Sequence, residues 1–352
     1  MHAPHPARYD VSATGLPYRH VGKSGLKLPA ISLGLWQNFG HSTRYADQRD
    51  IVLSAFDRGV THFDLANNYG PPQGSAESSF GSLLATDLAA YRDELVISTK
   101  AGYYMWPGPY GEGGSKKYLR ASLDQSLQRL GVDYVDIFYS HRFDPSTPIE
   151  ETLDALKYAL ESGKALYAGI SSYSAQRTTQ ALQHAERIGL PLLIHQPSYS
   201  MLNRWIEESA EDEESLLAVC ERNGLGVIGF SPLAQGLLTE KYLQGTAPAH
   251  SRAAANGSFK QEYLSAENIQ ALQGLKEIAE SRGQSLPQLA ISWALRNSVV
   301  SSVVIGARTR AQLHENLDAA RQLTFSSDEL ARIDAVCIDG GLNLWASRSS
   351  DL

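Results

Sequence analysis

Short apolar runs recur along the chain, and the stretches between them carry hydrophobic residues at helical spacing. The runs begin near Ile31, Thr61, Leu95, Tyr134, Ala165, Leu192, Gly226 and Ser301. Consecutive starts lie 27 to 39 residues apart, and only the last pair, 75 apart, leaves room for an insertion. Eight strands alternating with helices is the rhythm of a parallel sheet. Ahead of them, Tyr18 to Leu28 reads as a hairpin turned by Gly22-Lys23-Ser24-Gly25. Residues 1–17 form a Pro- and His-containing tail, and no linker divides residues 18–352.

The helices between the runs are well signposted. Thr147, Pro148 and Glu150 predict a capping box with Pro at the first helical position, followed by Ile149, Leu153, Leu156 and Leu160 up to Gly163. Leu119, Leu123, Leu127 and Leu130 mark a second helix ending at Gly131. Ser285, Pro287 and Gln288 open a third, and Ile269, Leu272, Leu275 and Ile278 place an extra helix in the long gap. An open doubly wound sheet and a closed barrel share this rhythm. A dinucleotide-binding sheet of the first kind usually shows G-x-G-x-x-G at its first turn, and this chain does not. Gly22-Lys23-Ser24 lacks the earlier glycine of a phosphate loop, where Pro17 stands, so it reads as a turn.

Composition narrows the class. At 352 residues, 43% hydrophobic and 20% charged, the chain matches a globular protein with a large core. It has no apolar run long enough to span a membrane, and MHAPHPARYD lacks the basic-then-apolar grammar of a secretory signal, so a cytoplasmic location is expected. Most of the net charge of −7 comes from Glu207, Glu208, Glu211, Asp212, Glu213 and Glu214, which read as a solvated acidic segment. With pI near 5.8 no basic stripe is left to track nucleic acid or an anionic membrane. Cys220 and Cys337 stand far apart and read as buried small hydrophobes, and neither a zinc spacing, an H-e-x-x-H metal motif nor a nucleophile elbow is present.

In an eight-stranded barrel the side chains that do chemistry project from the C-terminal strand ends. There, Asp64 closes Thr61-His62-Phe63, Tyr69 follows five positions later, Lys100 closes Leu95 to Thr99, and His141 closes Val135 to Ser140. Each has a plain structural reading: a helix cap, a surface aromatic, a snorkelling strand end and a core histidine. Together they suit carbonyl reduction. A tyrosine near its ordinary pKa of about 10 is a poor acid-base group at neutral pH, and a neighbouring ammonium would lower it. Lys100 would supply that ammonium, Asp64 would aim it, and His141 would hydrogen-bond a carbonyl oxygen that Tyr69 protonates.

The segments Gly59 to Gly70, Ile97-Ser98-Thr99-Lys100 and the strand ending in His141 resemble the signatures of the aldo-keto reductases, over roughly Tyr18 to Trp345. The resemblance implies a single (β/α)8 TIM barrel with an N-terminal β-hairpin across its base and additional C-terminal helices. Asp64, Tyr69, Lys100 and His141 match the family's catalytic tetrad. It further implies NADPH bound without a Rossmann fold. Ser171, Ser172 (where many relatives carry Asn) and Gln196 would hold the carboxamide, and Phe230 would stack on the nicotinamide, its plain alternative being a core aromatic. Ser231, Leu233, Gln235 and Gly236, with Lys241 and Arg252 in the insertion, resemble the segment over the pyrophosphate; the two cations also read as surface charges. After the last strand, Gly306, Arg308 and Arg310 precede or open a helix whose dipole repels cations, which implies an anion there, and the match is to the adenosine 2′-phosphate pocket. Gln312, Glu315 and Asn316 match adenine-side residues.

The loop Trp106 to Gly111, Ser140-His141-Arg142, Gly169 to Ser174 and Asn343-Leu344-Trp345 narrow the resemblance to the family's microbial reductases of L-glyceraldehyde 3-phosphate. The implied substrate is a short polar aldehyde: L-glyceraldehyde 3-phosphate reduced to glycerol 3-phosphate, or methylglyoxal reduced to acetol. Trp36, Trp106 and Trp345 are expected to wall the pocket with Tyr69 and His141, and Trp293 to be core. Arg142 reads equally as a phosphate ligand and a structural ion pair. Potassium-channel β subunits, cofactor-sensing relatives with slow turnover, are the competing class, but they carry Asn where His141 stands here. Self-association is open, since relatives include monomers and oligomers.

Overall fold

Each strand begins within one residue of its expected start in the structure, a computed structural model that describes residues 14–209, 214–243 and 261–337. Strands β1 (Tyr18–His20) and β2 (Lys27–Pro29) pair antiparallel as the predicted hairpin. The next eight are β3 (Ile31–Gly34), β4 (His62–Asp64), β5 (Val96–Ala101), β6 (Val135–Ser140), β7 (Ala165–Ser171), β8 (Leu192–Gln196), β9 (Gly226–Phe230) and β10 (Val300–Ile305). They run parallel and close in sequence order, β10 returning to β3. The chain therefore folds as a (β/α)8 barrel.

Helices α1 (Tyr45–Asp57), α2 (Ser75–Leu84), α3 (Lys116–Leu130), α4 (Ile149–Glu161), α5 (Ala175–Ile188) and α6 (Leu216–Asn223) each follow a barrel strand. The long gap contributes α7 (Ala266–Ser281) and α8 (Leu286–Ala294), and α9 (Arg310–Leu317) and α10 (Ser327–Val336) come after the last strand. Serine caps set several starts: Ser115, Ser174 and Ser215 each accept a backbone N–H three residues on. The same helices stop at Gly131, Gly189 and Gly224 in the left-handed conformation. The capping box expected at Thr147 does not form. Pro148 is itself the N-cap of α4, and the Thr147 hydroxyl turns back to donate to Asp144 Oδ2 at 2.7 Å.

The hairpin closes the N-terminal end of the barrel. Val21 and Leu28 are fully buried against Ile137, Tyr139, Ile194 and Ile228. Arg19 donates to the carbonyls of Leu295 (2.8 Å) and Val300 (2.9 Å), and Lys23 N–H reaches Gly224 O at 3.0 Å. Gly22 is required at the turn: its φ is +53°, and a Cβ there would sit 2.0 Å from the Gly224 carbonyl oxygen. With the base sealed, the opposite rim, where β4, β5, β6 and β8 end, is left for a ligand.

Trp293, Cys220 and Cys337 are buried as expected. The acidic segment is less free than its charge suggested. Glu207 is paired with Arg296 at 2.6 Å and accepts the Tyr199 hydroxyl, and Glu214 pairs with Arg222, while Glu211, Asp212 and Glu213 lie outside the described residues. Among the described residues no helix is long and apolar enough to cross a membrane.

Candidate active site

Strand ends bring the four predicted reactive side chains to one place. Asp64 at the end of β4 and Lys100 near the end of β5 form an ion pair of 2.6 Å, with the lysine fully buried. Lys100 Nζ also donates to Leu65 O at 2.6 Å, so two of its three protons are fixed by the last residue of β4 and the one that follows it. The other carboxylate oxygen of Asp64 accepts from Ser98 Oγ (2.7 Å) and Gln196 Nε2 (3.1 Å). Tyr69 lies five residues beyond Asp64, its ring centroid 5.0 Å from Lys100 Nζ and 5.8 Å from the His141 ring, edge to face. Tyr103 stacks edge-on against His141 from another side at 4.6 Å.

Burial governs the ionisation of this cluster. It lowers the Lys100 pKa, and Asp64 and buried Glu77 oppose that shift by favouring the ammonium. For Tyr69 the expectation was a lowered pKa, and the structure reverses it. Burial pushes the phenol well above its ordinary value, and the charges of Asp64 and Tyr103 push the same way. Tyr69 therefore stands as a protonated phenol at neutral pH, the form that can give a proton to an oxygen in front of it.

A cleft of about 550 Å³ opens from these residues toward the start of α9. Trp36, Asp64, Tyr69 and His141 line its inner end. Ser171, Ser172, Gln196 and half-buried Phe230 continue the wall, followed by Ser231, Leu233, Gln235 and Gly236. Three of these, Ser172, Ser231 and Gln235, hold φ near +58°, so left-handed backbone outside glycine gathers on one side of the cleft. The Ser171 hydroxyl donates to Gln196 O at 2.8 Å, and Gln196 gives one of its two amide N–H groups to Asp64, with Oε1 as the acceptor of that side chain. Lys241, Gly306, Arg308, Gln312, Glu315 and Asn316 line the far end.

Several predicted residues stand outside the cleft lining. Trp106 does not line the cleft: its loop folds back, Met105 N–H bonding Gly111 O at 2.8 Å, and the indole packs on Tyr118 with centroids 5.1 Å apart. Arg142 is not among the lining residues: it donates to Gly102 O at 3.1 Å, faces Glu112 at 3.8 Å and lies over the ring of Tyr103, 5.4 Å from its centroid. Arg308 precedes the helix, whose cap is Thr309, while Arg310 points out to Asp50 at 3.8 Å and is absent from the lining. Arg252 and Trp345 lie outside the described residues. Sequence reasoning missed Tyr103, Asn38, Asn68, Thr239, Glu240 and Tyr242, all on the cleft. For Tyr103 a signal existed, since it stands three positions beyond Lys100 on the same rim.

Comparison with known proteins adds an independent line. The model of the aldo/keto reductase family matches residues 30–338. The chain is 57% identical over 348 residues to the L-glyceraldehyde 3-phosphate reductase of Escherichia coli strain K12, covering 98% of each protein. It is 38% identical over 307 residues to a probable voltage-gated potassium channel subunit beta of Arabidopsis thaliana, covering 86% of this chain and 91% of that one.

Proposed function

The chain belongs to the aldo/keto reductase family, and from that premise we propose that it is an NADPH-dependent reductase of short polar aldehydes, acting on L-glyceraldehyde 3-phosphate, methylglyoxal or both. The observation that carries this reading is the convergence of Tyr69, His141 and the Asp64–Lys100 pair at the inner end of a long cleft. The identity to the E. coli reductase supports the substrate class.

The lining suits a nicotinamide cofactor. Ser171, Ser172 and the free Oε1 of Gln196 offer a carboxamide its hydrogen-bond partners, and half-buried Phe230 offers a flat apolar face. Lys241 and Arg308 are the cations at the end away from Tyr69, where phosphates would lie. When bound, such a cofactor supplies the hydride that reaches the carbonyl carbon. The chain's own groups do the rest. His141 orients the carbonyl oxygen, Tyr69 gives it the phenolic proton as negative charge develops, and Lys100, aimed by Asp64 and Leu65 O, stabilises the phenolate left behind.

The test follows NADPH absorbance with methylglyoxal and with each enantiomer of glyceraldehyde 3-phosphate, using NADH as cofactor control. Wild type is expected to oxidise NADPH with these aldehydes, and Tyr69→Phe to lose turnover while still binding NADPH. Near-full turnover in Tyr69→Phe would remove Tyr69 from the role, and a wild type inert toward all three aldehydes would overturn the substrate class.

A further inference from the structure

Behind the Asp64–Lys100 pair lies a run of buried hydroxyl and imidazole groups that the reaction above does not use. His62 precedes Asp64 by two positions on β4, and Ser98 precedes Lys100 by two on β5, so in each strand both side chains share a face. Ser98 Oγ is 2.7 Å from Asp64 Oδ1 and 3.0 Å from His62 Nε2. His62 Nδ1 is 2.8 Å from Ser32 Oγ on β3, and Ser32 Oγ is 2.7 Å from Ser302 Oγ on β10. Ser32, His62, Ser98 and Ser302 are all fully buried.

Valence assigns every proton in this run. A carboxylate only accepts, so Ser98 gives its single proton to Asp64. Ser98 has only lone pairs left for His62, so Nε2 carries the ring proton. Burial keeps the ring neutral, pushing its pKa down to about 4, while the two charges that face it, Asp64 and Lys100, act in opposite directions. A neutral ring has one N–H, so Nδ1 accepts from Ser32, and Ser32 in turn accepts from Ser302. Four consecutive hydrogen bonds thus point one way, toward Asp64 Oδ1, and each polarises the next.

We propose that His62 is a positioning residue for the reduction: through Ser98 it fixes the Asp64 carboxylate, and through Asp64 it holds the Lys100 ammonium against Tyr69. The inference rests on the reading of Asp64, Lys100 and Tyr69 given above. Branched apolar side chains usually fill the layers inside such a barrel, and they leave no polar group to satisfy. A fully satisfied polar run instead selects one geometry, because any rotation strands a buried donor or acceptor. Without the Ser98 hydroxyl, Asp64 Oδ1 keeps only the Gln196 amide, and the carboxylate is free to swing on its lysine.

The experiment compares Ser98→Ala and His62→Leu with Ser98→Thr and His62→Gln, which keep a hydroxyl and an N–H donor. The first two are expected to lower kcat with methylglyoxal by about tenfold, the scale of a modest misplacement. NADPH affinity by fluorescence titration and the aldehyde KM should stay within about twofold, and the conservative variants should recover most of the rate. Imidazole 15N NMR should show His62 as the Nε2–H tautomer, without titration between about pH 5.5 and 8, and its signal should move in Ser98→Ala. An Nδ1–H tautomer overturns the chain itself. An active wild type whose Ser98→Ala variant keeps both thermal midpoint and kcat overturns the positioning role alone. A wild type that reduces no aldehyde overturns the reaction and the positioning role together.

Discussion

Gln196 donates its side-chain amide to Asp64 Oδ1 at 3.1 Å, joining strands that stand four places apart in an eight-stranded ring. One side chain thereby serves two masters: its N–H steadies the carboxylate that aims Lys100, and its Oε1 is left for the carboxamide of a bound cofactor. Gln196→Leu should therefore weaken NADPH binding by about tenfold, the cost of one lost buried hydrogen bond, and lower kcat as well. Gln196→Glu should lower kcat further, since it sets a second carboxylate beside Asp64. Fluorescence titration paired with steady-state kinetics separates the two effects. A weaker complex with unaltered kcat would mean that the bond to Asp64 has no weight in the reaction.

Two buried histidines tie stability to pH. Burial lowers His62 to about 4, and it lowers His195, whose Nε2–H donates to Tyr173 O at 3.1 Å, to about 3. Unfolded, both take up a proton near the ordinary 6.5, so below that pH the unfolded chain binds more protons than the folded one. The stabilisation is complete above pH 6.5 and is lost as pH falls toward 4, roughly 1.4 kcal/mol per histidine per pH unit inside that window. The thermal midpoint should fall by several degrees between pH 7.5 and 5, and His195→Gln should flatten the slope. A midpoint indifferent to pH over that range would show that the rings take up protons without unfolding.

The strand starts were legible because a barrel strand is a short apolar run whose boundaries are set locally, and Asp64, Lys100 and His141 were legible because each breaks such a run at its C-terminal end. The run from Ser302 to Ser98 was not, since it draws one residue from each of four strands and depends on their stagger, which no single strand's pattern contains. The packing of Trp106 was hidden for a related reason. In its Gly- and Pro-rich loop Gly111 lets the backbone double back so closely that a Cβ there would meet Trp106 O at 1.7 Å, and the indole is carried onto Tyr118. The direction of the Tyr69 shift failed because a neighbouring ammonium was weighed without the burial that comes with it.

The two arginines near α9 should part company. Arg308 lines the cleft, whereas Arg310 faces Asp50 and solvent. Arg308→Ala is expected to weaken NADPH by about tenfold or more, the scale of a lost charge-assisted contact to phosphate, and to leave NADH nearly unchanged. Arg310→Ala should move neither by more than about twofold, as befits an exposed ion pair. Equal losses for both cofactors in Arg308→Ala would place the arginine on the shared diphosphate instead of the 2′-phosphate.

Gly169 makes room for the Tyr139 ring inside the barrel: a Cβ at 169 would stand 2.5 Å from two ring carbons and 3.0 Å from Ile194 Cγ2. The ring it admits is fully buried, with Lys100 Nζ 5.8 Å from its centroid. Gly169→Ala must therefore drive Tyr139 out of its place beside the lysine, overpacking a core that has no slack, at a cost of about 1–3 kcal/mol. Both the thermal midpoint and kcat should drop. Tyr139→Leu alone should destabilise through the space it vacates, but combined with Gly169→Ala the added methyl occupies part of that space, so the double variant should be more stable than the sum of the single losses predicts. Strict additivity in a double-mutant cycle would show that the barrel relaxes around residue 169 without moving Tyr139, and the ring's contact with Lys100 would then have to be maintained by the strands alone.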